Sequence, residues 1–351
     1  MPVKIWFATW NCENMAPTPE HMRYFLHELR SGVPDLVVVG LQEANKDKEG
    51  KFVAERMTAL YPNYTLIASQ AMPGMTKMKR NFQHIGVLVK RSVAGNVTDI
   101  ATQVSDNKVK LKEYGKGGVI ATMKLNIGGT GQEFAFISAH LDSKKEKSRT
   151  KQITTLLTKA AGIPMDSSPA AVQSAIRARF GAVFFMGDLN YRLNPSGRRG
   201  MTSPFMTFNS NTPGDDLATC IASDATRRIL LPMDMLLNSP LVTQYNFEFP
   251  QPIGADGSIF LPSYKMDYRI KGSGNPCAQM ARNPNAANIK KCYFGKGKIY
   301  NNSRKCYDFG WLDRVGFSRN GSCKVTIEDY YSDPSVVLSD HAPVVMKTTV
   351  Q

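Results

Sequence analysis

The chain has 351 residues, a formal net charge of +15 at pH 7 and an isoelectric point near 9.5. It is long enough to bury a sizeable core, and it lacks any apolar run near the roughly 20 residues that a membrane-spanning helix needs. The charge predicts an anionic partner, but it does not choose among a nucleic acid, an acidic membrane surface and a polyphosphate.

Residues 1–140 read mainly as strands. Alternating or continuous apolar patterns predict these strands over residues 4–11, 35–43, 64–70, 84–91, 118–126 and 133–140. Helices are predicted over 18–32, with Thr18 as the N-cap, and over 51–61. Three of the strands end on Asn11, Glu43 and His140, so polar side chains collect at strand ends.

The remainder of the chain mixes helices, strands and one long irregular stretch. Helices are predicted over 148–161, 169–180 and 215–230, a loop over 195–212, and strands over 311–318, 325–330 and 343–350. Residues 272–309 contain many Gly, Asn, Pro and Lys residues without a sustained period, which predicts a surface insertion. Strands outnumber helices, without strict βαβ alternation or an internal repeat. We therefore expect two packed mixed sheets with helices outside, an α/β protein of the α+β type.

The six cysteines bear on the compartment. Cys12 and Cys220 lie in segments that read as structured, where a buried free thiol is expected. The other four, which lie in or near the irregular stretch, are Cys277, Cys292, Cys306 and Cys323. No CxxC spacing occurs, which disfavours a zinc site. We expect six free thiols in a cytoplasmic protein, because the N-terminus also lacks a signal-peptide pattern. One or two disulfides in the late group are the alternative, and they would indicate an exported protein supplied without its signal.

The stretch FFMGDLNYRL, residues 184–193, carries the strongest chemical signal. The apolar run 183–186 predicts a strand covered on both faces, which Gly187 is expected to end. The polar residues Asp188, Asn190 and Arg192 then have to lie at a rim, where charged groups are solvated or paired. A turn with local backbone hydrogen bonds would explain a bare Gly-Asp pair, but not ten residues in this order.

GDLNYRL resembles the signature of the inositol polyphosphate 5-phosphatases, a branch of the magnesium-dependent endonuclease/exonuclease/phosphatase superfamily. The nuclease and sphingomyelinase branches usually read GDFN there. Further matching motifs arrive in the family's order: TWNCEN from Thr9, LQE from Leu41, GKGGV from Gly115, SAHLDS from Ser138, PSYK from Pro262, WLDRV from Trp311 and SDHAPV from Ser339. The resemblance implies a four-layer sandwich. It also implies a single catalytic domain over residues 1–351, with an insertion at about 272–309.

The resemblance also implies roles for individual residues. Glu43 would be the main Mg²⁺ ligand, with Asn11 beside it and Asp340 near the metal, as suits an ion that prefers a few hard oxygen ligands. Asp188 would orient or deprotonate the attacking water, and Asn190 would bind phosphate. His140 and His341 would hold the scissile phosphate, and Asp313 would pair with His341.

Substrate selection is expected at PSYK, where Tyr264 and Lys265 would hold a neighbouring 4-phosphate, and at Lys116 of GKGGV. Tyr191 and Arg192 are expected to brace their loop. The chain departs from the family pattern in several places: HLDSK replaces HLAAH and so puts Lys144 at the second histidine, Gly115 replaces an asparagine, Glu13 replaces a small or amide residue, and FGWLDR replaces PAWCDR. The chemistry is therefore better supported than the specificity. The remaining histidines, His21, His27 and His84, are expected to be structural.

Three functions compete at this point. The first is a Mg²⁺-dependent phosphatase that removes the 5-phosphate from lipid or soluble inositides, as a monomer that contacts acidic membranes peripherally. The second is a Mg²⁺-dependent nuclease of the same fold. The basic charge favours the nuclease, whereas the GDLNYR and PSYK motifs disfavour a nucleic acid partner. The third is an inactive relative that only binds acidic membranes, which the intact set of chemical residues disfavours.

Overall fold

The computed structural model describes residues 2–18, 21, 23, 33–45, 58, 60–73, 81–105, 116–127, 129–193, 221–264, 266, 277, 280, 285–294, 310–336 and 338–351. Within these ranges, eleven strands form two sheets. The first sheet has the order β10-β11-β1-β2-β4-β3, with bounds Val325–Ser332, Val344–Val350, Val3–Asn11, Leu36–Asn45, Asn81–Lys90 and Tyr64–Pro73. The second has the order β5-β6-β7-β8-β9, with bounds Val97–Val104, Gly117–Ile127, Thr130–His140, Phe180–Asp188 and Asp313–Arg319.

Both sheets are mixed. Strands β1 and β2 run parallel in the first sheet, and β7 and β8 run parallel in the second, while the other pairs are antiparallel. Parallel neighbours end at the same edge, so Asn11 pairs with Gln42 and His140 pairs with Asp188. Asp188 also pairs with Asp313 at the start of β9. The polar strand ends therefore collect at one edge of the sandwich.

Five α-helices are described in these ranges: α1 Glu146–Ala161, α2 Pro169–Arg179, α3 Asp224–Leu230, α4 Pro240–Thr243 and α5 Ala286–Phe294. Short 3-10 helices cover Arg91–Asn96, Leu231–Met233 and Met235–Asn238. Helix α1 buries Ile153, Leu156 and Leu157 against the outer face of the second sheet, because apolar residues recur there at helical spacing. It ends at Gly162, whose φ of 72° suits a glycine. No described helix is long and apolar enough to cross a membrane.

The core between the sheets is built from aromatic and aliphatic side chains. Phe7 of the first sheet stacks on Phe184 of the second, with ring centroids 4.4 Å apart, and Phe136 lies 5.7 Å from Phe184. On the other side of the first sheet, Trp6 and Trp10 join a separate buried cluster. Two mixed sheets with flanking helices confirm the predicted fold class.

The strands differ from the sequence prediction in two places. Strand β5 was not predicted, because it is mostly exposed and lacks an apolar alternation. Gly187 does not end β8 but lies inside it with a φ of 135°, and a Cβ at this position would clash with the Ala139 backbone. A glycine is required there for close approach of the two strands rather than as a stop signal.

The prediction of six free thiols is wrong for one pair, because Cys277 and Cys292 form a disulfide. Cys12 and Cys323 are free and buried, as expected for Cys12. Within the predicted insertion, α5 and the bridge pack with Trp311 in a buried cluster, so part of 272–309 contributes to a core. The bridge joins Cys277 to Cys292 of α5 across a sequence separation of 15 residues, a pairing that residue spacing alone does not reveal.

Several predictions fall outside the described residues. These are most of the helices at 18–32 and 51–61, the loop at 195–212, the first part of the helix at 215–230, and the residues His27, Gly115, Cys220, Lys265 and Cys306. The start of the first helix agrees with its prediction, because Thr18 Oγ1 accepts a hydrogen bond from the His21 backbone at 3.4 Å. The single-domain layout stays a prediction.

Candidate active site

The polar edge of the sandwich is assembled from both sheets. The first sheet supplies Asn11 and Glu43. The second supplies His140, Asp188 and Asp313. Asp340 and His341 lie in the loop before β11, which is fixed to β1 by two hydrogen bonds: Trp10 Nε1 donates to the His341 carbonyl at 2.9 Å, and Ser339 Oγ donates to the Asn11 carbonyl at 2.6 Å.

Asp188 is the centre of this cluster. Its Oδ2 accepts a hydrogen bond from Asn11 Nδ2 at 2.9 Å and lies 3.1 Å from His140 Nε2. His341 Nε2 lies 4.0 Å from the same oxygen. Burial alone would raise the pKa of Asp188, but the two histidines and Lys116 outweigh it and hold this pKa below its usual value. The side chain is therefore an acceptor-only carboxylate, aimed at the space between the two histidines.

The Asp313–His341 pair forms the second part. Asp313 Oδ2 lies 2.7 Å from His341 Nδ1 and accepts a hydrogen bond from Ser263 Oγ at 2.8 Å. Burial would lower the pKa of His341, but the Asp313 carboxylate overrides this and raises it to about 10. Because Nδ1 faces Asp313, Nε2 is the nitrogen left to donate toward a ligand. This pairing is the one that the sequence predicted.

His140, Lys116 and Glu43 form the third part. His140 Nε2 is 3.8 Å from Glu43 Oε1, and Lys116 Nζ contacts His140 Nε2 and lies 4.0 Å from the same Glu43 oxygen. Burial lowers the pKa of Lys116, and burial together with Lys116 lowers the pKa of His140. Lys116 thus lies beside the catalytic candidates rather than at a separate subsite.

The Glu43 backbone is unusual. Its φ is 49°, and the pairing of β2 with β4 shifts register between Leu41 and Ala44. This irregularity re-aims the glutamate, as bulges next to active sites often do. Asn14 Nδ2 donates to Glu43 Oε2 at 3.2 Å, and the Asn14 backbone donates to the Glu43 carbonyl at 2.8 Å. Glu13 Oε2 accepts from the Asp340 backbone at 3.2 Å, so Glu13 braces that loop.

Two sets of side chains could hold a divalent cation. The predicted set is Glu43, Asn11 and Asp340, all with oxygen donors. Ligand atoms of Asp188, Asp313 and His341 also lie within 4.8 Å of one another. In this second set His341 Nδ1 already faces Asp313, so we interpret it as catalytic rather than ligating. The donor chemistry of the predicted set fits Mg²⁺ or Ca²⁺.

The candidate substrate residues border the cluster. The Tyr264 ring lies 4.5 Å from the His341 ring, and the Arg192 guanidinium lies over the Tyr264 ring, 5.2 Å from its centroid. Asn190 Nδ2 donates to the Leu141 carbonyl at 3.0 Å, so here this amide holds the loop after β7. Tyr191 is buried and donates to Glu146 Oε1 at 3.2 Å, which agrees with its predicted bracing role.

Sequence reasoning missed several supporting residues. Ser263, Ser138 and Gln42 lay within matched motifs, but nothing in one sequence indicated that their side chains meet other functional groups. Arg149 gave no signal, yet it is buried, donates to the Asp142 carbonyl at 2.9 Å and stacks on the Tyr191 ring at 4.7 Å. Asp142 lies in the HLDSK segment, where the sequence departs from the family pattern. Its Oδ1 accepts hydrogen bonds from the backbone N–H groups of Lys144 and Lys145, each at 2.7 Å, and so shapes the turn that leads into α1.

The comparisons with known proteins agree with this geometry. The model of Endonuclease/Exonuclease/phosphatase family 2 matches residues 8–228. The phosphatidylinositol polyphosphate 5-phosphatases type IV of Pan troglodytes and Homo sapiens are each 23% identical over 350 residues, which cover 97% of this chain and 45% of theirs. The chain thus spans less than half the length of these relatives.

Two solved structures show that the fold is shared more widely than any one function. An inositol polyphosphate 5-phosphatase domain of SPsynaptojanin, in complex with inositol (1,4)-bisphosphate and calcium ion, matches with a TM-score of 0.60 and 18% identity, over 99% of this chain and 84% of that one. A Cimex nitrophorin ferrous NO complex matches with a TM-score of 0.59 and 14% identity, over 100% of this chain and 99% of that one. The fold alone therefore does not assign an activity, and the side chains of the site have to.

Proposed function

The chain belongs to the endonuclease/exonuclease/phosphatase family, and from that premise we propose that it is a divalent-cation-dependent phosphatase that removes the 5-phosphate from inositides. The observation that carries the proposal is the position of Asp188 Oδ2, in contact with Asn11 Nδ2 and His140 Nε2 and 4.0 Å from His341 Nε2. A binding module has no need for a buried carboxylate held between two histidines beside a second acidic group, whereas phosphate hydrolysis needs all of these groups.

Each group has a role in the proposed reaction. Asp188 orients the attacking water as a hydrogen-bond acceptor, because its lowered pKa keeps it ionised and its Oδ2 faces the cluster. His341, held charged by Asp313, donates through Nε2 to a phosphoryl oxygen and offsets the charge that develops in the transition state. His140 and Lys116 flank the same space and supply further donors.

A divalent cation would complete the site. Glu43, Asn11 and Asp340 would hold it, and when bound it would neutralise phosphoryl oxygens and stabilise the leaving oxygen. Mg²⁺ is the ion we propose, since a site with few protein oxygens suits a cation that keeps several waters and takes the remaining ligands from the substrate. The basic surface of a chain with net charge +15 would attract either a soluble polyphosphate or the anionic headgroups of a membrane.

The inositide class is supported by the names of the relatives and by the residues beside His341. Tyr264 lies against the His341 ring and Arg192 lies over the Tyr264 ring, so these two residues offer a hydroxyl and a cation for a second phosphate. A panel of inositol phosphates and phosphoinositides, with and without the 5-phosphate, tests the proposal. Release of phosphate only from 5-phosphorylated substrates supports it. Magnesium-dependent nicking of plasmid DNA at the same enzyme concentration would favour the nuclease instead.

We propose that the protein works in an oxidising compartment. The Cys277–Cys292 bridge supports this exported alternative over the cytoplasmic one, because disulfides rarely persist where thiols are kept reduced. Mass spectrometry of the protein from its native source, alkylated before reduction, decides between the two. Modification of both cysteines by the alkylating reagent would show that they are free thiols and would favour the cytoplasmic alternative.

A further inference from the structure

Asn14 occupies a position that the proposed mechanism does not use. It is the last residue of WNCEN and has a φ of 65°, directly after Glu13 with a φ of 46°. Left-handed backbone is accessible to glycine at no cost and to asparagine at a small one. A side chain at this position is therefore a choice that the backbone does not require, and its contacts should explain it.

One end of the Asn14 side chain is tied to Glu43. Nδ2 donates to Glu43 Oε2 at 3.2 Å, and the backbone N–H donates to the Glu43 carbonyl at 2.8 Å. The amide nitrogen must be the end that faces the glutamate, since a carboxylate accepts hydrogen bonds and cannot donate them. The other glutamate oxygen, Oε1, points toward His140 and Lys116. Asn14 thus holds Oε2 of Glu43 in place and leaves Oε1 facing His140 and Lys116.

The other end of the side chain is unsatisfied. Asn14 Oδ1 is buried and has no hydrogen-bond partner in the part of the chain that the structure describes. A buried carboxamide oxygen without a partner carries a desolvation penalty, and an ion or a water ordinarily explains such an atom. Oδ1 is a hard oxygen donor, and its side chain is hydrogen-bonded to Glu43, which we propose as the main cation ligand.

We propose that Asn14 is a functional part of the cation site: its amide nitrogen orients Glu43, and its carboxamide oxygen is a further donor to the divalent cation. The inference rests on the proposed function only in that a cation binds near Glu43. It adds a ligand that the family resemblance does not supply. It also accounts for both ends of a side chain that the backbone tolerates but does not require.

The test compares the cation affinity of three proteins by titration calorimetry, with Mg²⁺ and then Ca²⁺ as probes and no substrate present. Asn14→Gly removes the amide but keeps a residue that suits the positive φ, so its urea-unfolding midpoint should match wild type. Its Kd for the cation should rise about 10- to 100-fold. Asn246→Gly is the matched control, because Asn246 also has a positive φ of 56° but is exposed and belongs to no part of the site. Its Kd should be unchanged.

A second variant separates the two roles. Asn14→Asp tolerates the same backbone and keeps an oxygen donor, but it loses the N–H groups that hold Glu43 and places a second negative charge beside it. Its Kd for the cation should therefore be clearly lower than that of Asn14→Gly, because the oxygen donor is retained. Binding as weak as that of Asn14→Gly would overturn the ligand assignment. An unchanged Kd in Asn14→Gly, or a wild-type protein that binds neither cation, would overturn the whole inference. Failure to release phosphate from any inositide would remove the proposed function and leave this comparison of affinities intact.

Discussion

Gln42 Nε2 donates a hydrogen bond to Ser138 Oγ at 3.3 Å, and this contact crosses from the first sheet to the second. Gln42 also exchanges hydrogen bonds with Thr9 at 3.2 and 3.3 Å, and all three side chains are fully buried. We call them the inter-sheet polar group. Gly40 makes the contact sterically feasible, because a Cβ there would lie 2.7 Å from Ser138 Oγ.

The inter-sheet polar group lies directly beneath the site. Thr9 is two residues before Asn11, Gln42 directly precedes Glu43, and Ser138 is two residues before His140. Residues two apart on a strand face the same side, so Thr9 and Ser138 share the inner faces of their strands with Asn11 and His140, while Gln42 adjoins Glu43 along the chain. Apolar packing between the sheets is not directional, whereas hydrogen bonds are. The group can therefore set the offset of one sheet against the other.

The first prediction removes the whole inter-sheet polar group with the triple variant Thr9→Val, Gln42→Met, Ser138→Ala. Replacing every partner by apolar groups should leave the free energy of unfolding within about 1 kcal/mol of wild type. The turnover number kcat should fall about 10- to 100-fold, because Asn11 and Glu43 would shift relative to His140 and Asp188. Urea unfolding and steady-state kinetics measure the two effects.

Thr348→Val provides the control for that experiment. Thr348 is equally buried and donates to the Ile5 carbonyl at 2.9 Å, but it lies on β11 beside the start of β1, away from the site, and its contact stays within one sheet. It should lose stability without losing kcat. If the triple variant keeps wild-type turnover, the inter-sheet polar group does not position the site.

The second prediction concerns Ser263. Its hydroxyl donates to Asp313 Oδ2 at 2.8 Å and accepts from the Asp313 backbone at 3.1 Å, so it orients the carboxylate that holds His341. Ser263→Ala should lower kcat about tenfold, and Ser263→Thr should restore most of the loss, because threonine keeps the hydroxyl. In an Asp313→Asn background the same alanine substitution should have little further effect. Additive losses in the double variant would show that Ser263 acts by another route.

The third prediction concerns the disulfide. Helix α5 carries Cys292 and Tyr293, and Tyr293 OH donates to the Pro262 carbonyl at 2.6 Å, next to Ser263 and Tyr264. Cys292→Ser should cost about 2 to 4 kcal/mol of unfolding free energy. It should also raise KM for inositides more than it lowers kcat, since the segment that faces the substrate loses its support.

Cys323→Ser is the matched control for the disulfide, because Cys323 is buried and free. Treatment of the wild-type protein with a dithiol reductant should reproduce the Cys292→Ser kinetics and leave the Cys292→Ser protein itself unaffected. Identical KM values for oxidised and reduced wild-type protein would mean that α5 does not support the substrate segment.

The sequence predicted the parts of the site that single strands determine. Strands β1, β2, β7 and β8 are apolar and end on polar residues, so Asn11, Glu43, His140 and Asp188 could be placed at one edge. Motif resemblance added the Asp313–His341 pair, which the structure holds at 2.7 Å. The four strand ends could be placed in this way because burial and strand direction are local properties, whereas the Asp313–His341 pair depended on the resemblance.

The remainder depends on contacts between distant segments. Gln42 and Ser138 are 96 positions apart, and their hydrogen bond follows from how two sheets pack, not from either motif. The disulfide required a choice among several pairings of four late cysteines, which spacing cannot make. Asn14 lies in the matched TWNCEN motif, but nothing in that motif indicated its hydrogen bond to Glu43. Side chains that satisfy one another across the fold were therefore the part that sequence reasoning missed.

Phosphate release from a 5-phosphorylated inositide, measured for wild type and Asp188→Asn with excess chelator and again after adding Mg²⁺, tests the central claim most directly. Wild type should lose turnover in chelator and regain it with Mg²⁺, because Glu43, Asn11 and Asp340 would again hold the cation. Asp188→Asn should fold normally but release phosphate at least about 100-fold more slowly than wild type in Mg²⁺, because an amide is not the acceptor-only carboxylate that orients the attacking water. Undiminished release in excess chelator, or equal rates for the two proteins in Mg²⁺, would contradict the account.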